Sequence, residues 1–155
     1  MFCPENKSEE RARDILEDLL QTQKLAVLAT QSADGTYTSL VAFAPSPDRK
    51  HIAFATRRDT AKYENLCQNP RASVMLDNRS EAGEELEQIR AVTISGVTNE
   101  ATGDARDRLA DLLLNRHPEL EDFLASRTCA LVTLRIERSH VVSGFQSAGE
   151  FQANI

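Results

Sequence analysis

The sequence predicts an α+β, mainly β fold: a six-stranded antiparallel barrel, closed or half-closed, with peripheral helices. Six short segments rich in β-branched, aromatic and alanine residues recur along the chain. The first three are joined by short turn-forming stretches, and segments of helical period are inserted between the others. Closure into a barrel removes the exposed edges that an open sheet of this size must protect. No internal repeat, low-complexity tract or linker divides residues 1–155, so the chain reads as one domain.

The first element is a helix. Ser8 is a capping residue for a segment reaching about Gln23, in which Ala12, Ile15, Leu16, Leu19 and Leu20 form an apolar stripe. Glu9 and Glu10 then fall in its first turn, where the helix dipole favours negative charge. Lys24–Gln31 and Thr36–Ala44 are the first two strands, with Ala33-Asp34-Gly35 as the turn between them. Pro45–Lys50 is a second turn and His51–Thr56 a third strand, giving an antiparallel meander. A helix follows and ends at Asn69-Pro70, because proline disfavours helical geometry in the residue before it. Ala72–Asp77 is the fourth strand. Acidic Asn78–Glu87, with Gly83, reads as an exposed loop. Ile89–Asn99 is the fifth strand, in which Gly96 marks a bulge or a close backbone approach. Thr102-Gly103-Asp104 opens a helix with Ala105, Leu109, Leu112 and Leu113 on one face. His117-Pro118 interrupts it, Glu119–Ala125 is a short helix, and Thr128–Arg138 is the sixth strand. Val141–Phe145 leads into a tail.

The most informative stretch is the junction of the third strand with its helix. Asp59 or Thr60 is a good N-cap, and Tyr63, Leu66 and Cys67 share one face at three- and four-residue spacing. Free N–H groups and a positive dipole end therefore lie beside Arg57, Arg58, the Thr60 hydroxyl and Lys62. Such a combination suits a phosphate. Basic residues beside a capping threonine are also common on solvated surfaces, so the cluster alone leaves both readings open.

The bulk properties are those of an ordinary globular chain, with 41% hydrophobic and 27% charged residues. A net charge of −6 and a pI near 5.1 argue against a nucleic-acid partner, which calls for a basic stripe. No apolar run is long enough to span a membrane, and the N-terminus has no apolar signal core, so a cytoplasmic location is expected. Cys3, Cys67 and Cys129 are too far apart for metal or redox motifs. Cys67 and Cys129 read as small buried hydrophobes, and Cys3 as a candidate exposed thiol. The dispersed histidines, 51, 117 and 140, give no metal-ligand spacing, and the six glycines form no phosphate-cradling motif. No side-chain constellation is equipped for catalysis by itself; an enzymatic role implies a bound cofactor.

The order of elements, and above all Thr60-Ala-Lys62 followed by Asn65-Leu66 and Asn69-Pro70, resembles the FMN-binding split barrels of the pyridoxamine 5′-phosphate oxidase class. The likeness covers about residues 23–145. It implies a split-barrel fold, FMN as cofactor, and a homodimer with the flavin at the subunit interface. It further implies that Thr60 and Lys62 hold the phosphate, with Arg57 or Arg58 adding charge. Ser39, Leu40, Val41 and Ala42 would offer backbone groups to the isoalloxazine ring, and Ala55 and Thr56 would line its other edge. Asn78 and Arg79 are candidates for contacts across the subunit interface. The expected activity is an oxidoreductase acting on a small substrate.

Two departures point away from vitamin processing itself. The chain has no tryptophan and lacks the C-terminal Trp-Arg and Arg pattern of those oxidases, and Ala61 stands where they often keep an arginine. The ending Ser143-Gly-Phe-Gln-Ser-Ala148 is similar to the haem-utilisation branch of the same barrels. Haem is therefore the alternative cofactor, with His140 as axial ligand, and a deazaflavin is a further variant. A non-catalytic, ligand-sensing dimer is the third reading.

Overall fold

The computed structural model describes residues 4–83 and 85–152. Cys3, whose role the sequence left open, lies outside them. The strands are β1 (Leu25–Ser32), β2 (Gly35–Pro45), β3 (His51–Arg57), β4 (Arg71–Asp77), β5 (Arg90–Glu100), β6 (Cys129–Ser143) and β7 (Gln146–Gln152). Helices α1 (Pro4–Thr22), α2 (Ala61–Gln68), α3 (Arg79–Ala82), α4 (Gly103–Arg116) and α5 (Glu121–Ala125) surround them. All pairings are antiparallel, in the order β3-β2-β1-β4-β5-β6-β7, and β3 also pairs with β6. The first six strands thus close into a barrel and β7 lies outside it.

Strand β6 makes both the closure and the extension. Its first part, Cys129 to Arg135, pairs with β3, whereas Arg138 to Ser143 pairs with β7. Strand β5 flanks β6 along most of its length. Inward-facing residues of all six strands fill the barrel, among them Leu28, Phe43, Phe54, Val74, Ile94 and Leu134, all fully buried. Ala12, Ile15, Leu19 and Leu20 of α1 join the same cluster, so the predicted stripe is the packing face. A second cluster packs Ala44, Ala53, Cys129 and Leu131 under Leu113 of α4 and Leu124 of α5.

Several local expectations are corrected. Ser8 does not cap α1, which begins at Pro4; its hydroxyl donates to the Ala148 carbonyl of β7 at 3.2 Å. Residues 78–87 are not wholly loop, since α3 lies within them and a 3₁₀ turn at Leu86–Gln88 begins there. The tail expected after Phe145 is strand β7. A two-residue turn makes it possible: Gly144 and Phe145 both have positive φ, 58° and 61°, the geometry that matches strand twist in tight hairpins. On α2 the buried pair is Asn65 and Leu66, while Cys67 is exposed. The helix presents its Thr30-facing side to the barrel, turning Cys67 outward. Ala105 of α4 is likewise exposed rather than packed, whereas Leu113 is fully buried.

Candidate functional site

The site begins where two neighbouring strands part. β2 and β3 pair only at Phe43 with Phe54, Ala44 with Ala53 and Pro45 with Ile52. Toward the other end of each strand, Ser39–Ala42 remain bonded to β1 alone and Ala55–Arg57 to β6 alone. The edges that face each other there leave alternate N–H and C=O groups for an outside partner. Helix α2 follows immediately and packs against β1, β2 and β3. The predicted contact residues on the two strands thus flank one opening, with the N-terminus of α2 next to it.

The junction is tightly built. Thr60 is the N-cap: its Oγ1 accepts from the Tyr63 N–H at 3.4 Å, donates to the Arg57 carbonyl at 2.7 Å and lies 3.0 Å from Thr56 Oγ1. The Ala61 and Lys62 N–H groups, in the first turn, have no helical acceptor. Arg57 is exposed and grips Asp59 with two bonds, 3.0 and 2.7 Å. Arg58 donates to Glu100 at 2.8 Å and to the carbonyls of Arg127 and Cys129 at 2.8 and 3.1 Å. Tyr63 Oη reaches the same Glu100 at 3.3 Å; burial and that carboxylate push the phenol above its ordinary value. Half-buried Lys62, by contrast, forms neither a hydrogen bond nor an ion pair with any described residue. Both arginines are already matched with acids, and Lys62 is the uncommitted cation of the junction.

Polar side chains also sit beneath α2 and on the inward face of β2. Asn65, only 7% exposed, donates from Nδ2 to Thr30 Oγ1 at 3.1 Å, and Thr30 donates onward to the Tyr37 carbonyl at 3.5 Å. This pair fastens α2 to β1. An asparagine in the middle of a short helix, where it is a poor helix former, was the available signal. Ser39 shares the inward face of β2 with Val41 and Phe43, and its buried Oγ has no partner among the described residues. One orphaned hydroxyl, two free first-turn N–H groups and an unpaired ammonium fit a phosphate ester carrying a polar ring system.

The side chain of Leu40 and the remaining predicted residues lie elsewhere. Leu40 is 60% exposed on the outer face of β2 and shares a groove with Leu25 and Met75. Arg79 borders that groove and pairs with Asp77 at 3.2 Å. Asn78 serves the backbone instead, accepting from the Arg90 N–H at 2.8 Å and donating to the Gln88 carbonyl at 3.0 Å. His140 is not at the opening. It sits on the distal half of β6, opposite Thr93 and Glu150, with Nε2 3.1 Å from Ser147 Oγ.

Residues 12–123, well over half of the chain, match the family model described as pyridoxamine 5′-phosphate oxidase. The chain belongs to the pyridoxamine 5′-phosphate oxidase family. Solved structures with the same fold include a heme-binding protein from Mycobacterium smegmatis (TM-score 0.80, 19% identity, 91% of this chain and 57% of that one). The heme storage protein HutZ from Vibrio cholerae superposes with a TM-score of 0.71 at 19% identity, over 85% of this chain and 94% of that one. A FAD-binding protein from Mesorhizobium loti gives 0.66 at 18% identity, over 81% and 89% of the two chains. The chain thus spans little more than half of the mycobacterial protein, and identities this low establish the fold alone. Comparison with curated proteins gives no match. Among the described residues of this family member, no helix is long and apolar enough to cross a membrane.

Proposed function

We propose that this member of the pyridoxamine 5′-phosphate oxidase family binds FMN in the opening between β2 and β3 and uses it as an oxidoreductase on a small substrate. The observation that carries the proposal is Lys62, a half-buried ammonium without an acidic partner, beside the free N–H groups of α2. Lys62 and the Ala61 and Lys62 N–H groups would hold the phosphate, and Thr60 would fix the first turn that presents them. Arg57 would add charge by releasing Asp59, an exchange that costs little because exposed ion pairs are weak. Arg58 would keep its structural bonds and hold the end of β3 in place. The unpaired backbone edges of Ser39–Ala42 and Ala55–Thr56 would orient the ring, with the Ser39 hydroxyl completing its polar contacts. Bound there, FMN supplies redox chemistry that no side chain of the junction can perform.

A homodimer accompanies this reading. Leu25, Leu40 and Met75 are exposed at 52%, 60% and 36% on one outer face of β1, β2 and β4. A second copy covering that face would bury them and bring Arg79 to the interface. A cytoplasmic setting suits the unpaired thiols of Cys67 and Cys129. The second reading is haem, favoured by the half-exposed ring of His140 and by the names of two structural neighbours.

The visible absorption spectrum of purified protein, titrated in turn with FMN and with haem, tests the choice. A perturbed flavin band with saturable FMN binding is the expected result. A haem band that His140→Ala abolishes, with no response to FMN, would overturn the flavin proposal in favour of the second reading.

A further inference from the structure

We propose that the outer face of the barrel carries a second anion site, in which Arg71, Arg135 and Arg138 receive a small molecule bearing two or more carboxylate or phosphate groups. The site is a groove of about 680 Å³ running across β1, β4, β5 and β6, and Lys62 is not among its walls. Its position follows from one irregularity. Ser95 pairs with Arg138 and Gly96 with Ile136, so Glu137 is an extra residue in β6, a β-bulge. Strict alternation would send Glu137 and Arg138 to opposite faces. The bulge instead leaves both on the outer face, between buried Ile136 and Ser139, and beside outward Arg135. Gly96 is required for this, because a Cβ there would stand 1.8 Å from the Arg135 carbonyl oxygen.

Beneath these side chains the floor is made of small residues, Ala29, Ser73, Ser95 and Gly96, which give the groove its depth. The Ser73 and Ser95 hydroxyls lie 2.9 Å apart and offer a donor from the floor. Arg71 reaches in from the start of β4. In a chain of net charge −6, the groove collects three arginines against one glutamate. That glutamate is divided between two of them: Glu137 lies 3.4 Å from Arg71 and 3.7 Å from Arg135, long and solvent-exposed contacts. Arg138 has an equally exposed partner in Glu150 at 3.3 Å. Carboxylate or phosphate oxygens entering the groove would replace these loose pairs with forked guanidinium contacts. A ligand with a single charge would engage only one fork, which is why the site selects a polyanion.

Calorimetric titration at low salt, on the full chain carrying Lys62→Ala to silence the α2 junction, tests the proposal with two probes. Citrate represents polycarboxylates and inorganic pyrophosphate represents phosphates, so the arm that responds identifies the class. Saturable binding of at least one probe is expected, weakened at least tenfold by Arg71→Gln with Arg135→Gln and tightened by Glu137→Gln. The two arginines are exposed and Glu137 is only partly buried, so the variants should keep the parent melting temperature. If the double variant fails to fold, Arg138→Gln supplies the same readout. Absence of binding by both probes, or affinity indifferent to the arginine substitutions, would overturn the proposal.

Discussion

Replacing Lys62 with alanine isolates the electrostatic part of the proposed flavin site. The ammonium has no partner among the described residues, so its removal leaves no orphaned carboxylate and breaks no internal bond. The folded protein should therefore lose less than about 0.5 kcal/mol, the usual range for a surface change away from special features. Binding is different. A hydrogen bond to a charged group contributes about 1.5–3 kcal/mol, which converts to roughly a 10- to 150-fold rise in the FMN dissociation constant. Arg57→Ala should have a smaller effect, because a phosphate must first compete with Asp59 for the guanidinium. Quenching of flavin fluorescence, titrated at fixed ionic strength for wild type and both variants, measures these differences. The reasoning is refuted if Lys62→Ala binds FMN as tightly as wild type, or if Arg57→Ala is the more damaging change.

Three further outcomes follow from the geometry. Gly96→Ala should destabilise the fold by at least about 2 kcal/mol, the upper part of the overpacking range, because the added methyl meets a backbone carbonyl at 1.8 Å; chemical denaturation reads this. Glu100→Gln removes the charge that joins Arg58 to Tyr63. It should weaken FMN binding several-fold with little change in melting temperature, and it should bring the Tyr63 phenol down toward its usual value, readable by ultraviolet titration. Glu17 accepts hydrogen bonds from Arg49 that hold its carboxyl below the ordinary value near 4.5. A depressed carboxyl stabilises the fold above its unfolded value and loses that contribution as pH falls through the folded one. Melting temperatures of wild type and Glu17→Gln should therefore be separated at neutral pH, with wild type the more stable, and should converge as pH falls below the unfolded value near 4.5 and on through the depressed folded one.

What was legible in the sequence was local. The β3–α2 junction emerged from Thr60 as cap and Asn69-Pro70 as stop, because capping and proline sterics act within a few residues. The β1–β2 hairpin emerged from its Ala33-Asp34-Gly35 turn signal for the same reason, although Gly35 itself already pairs with Ser32. Strand β7 was not legible. Gln146–Gln152 is polar, with little alternation, and it is held from a distance: Ser8 bonds to Ala148, Arg13 lies 4.3 Å over the Phe151 ring, and Gly149 packs against Ala12. Nor could the sequence separate Arg57 from Arg58, or either from Lys62. Their difference depends on Asp59, which is adjacent, and on Glu100 and the Cys129 carbonyl, which only the β3–β6 closure brings near. The parting of β2 from β3 was likewise hidden, since β3 keeps β6 as a neighbour from His51 to Arg57 while its ladder to β2 stops at Phe54.

A crystal structure of the protein with FMN is the most direct measurement of the central claim. Phosphate density within hydrogen-bond range of Lys62 Nζ, and the ring seated between the free edges of β2 and β3, is the predicted result. Flavin bound away from that opening, with Lys62 directed into solvent, would contradict it.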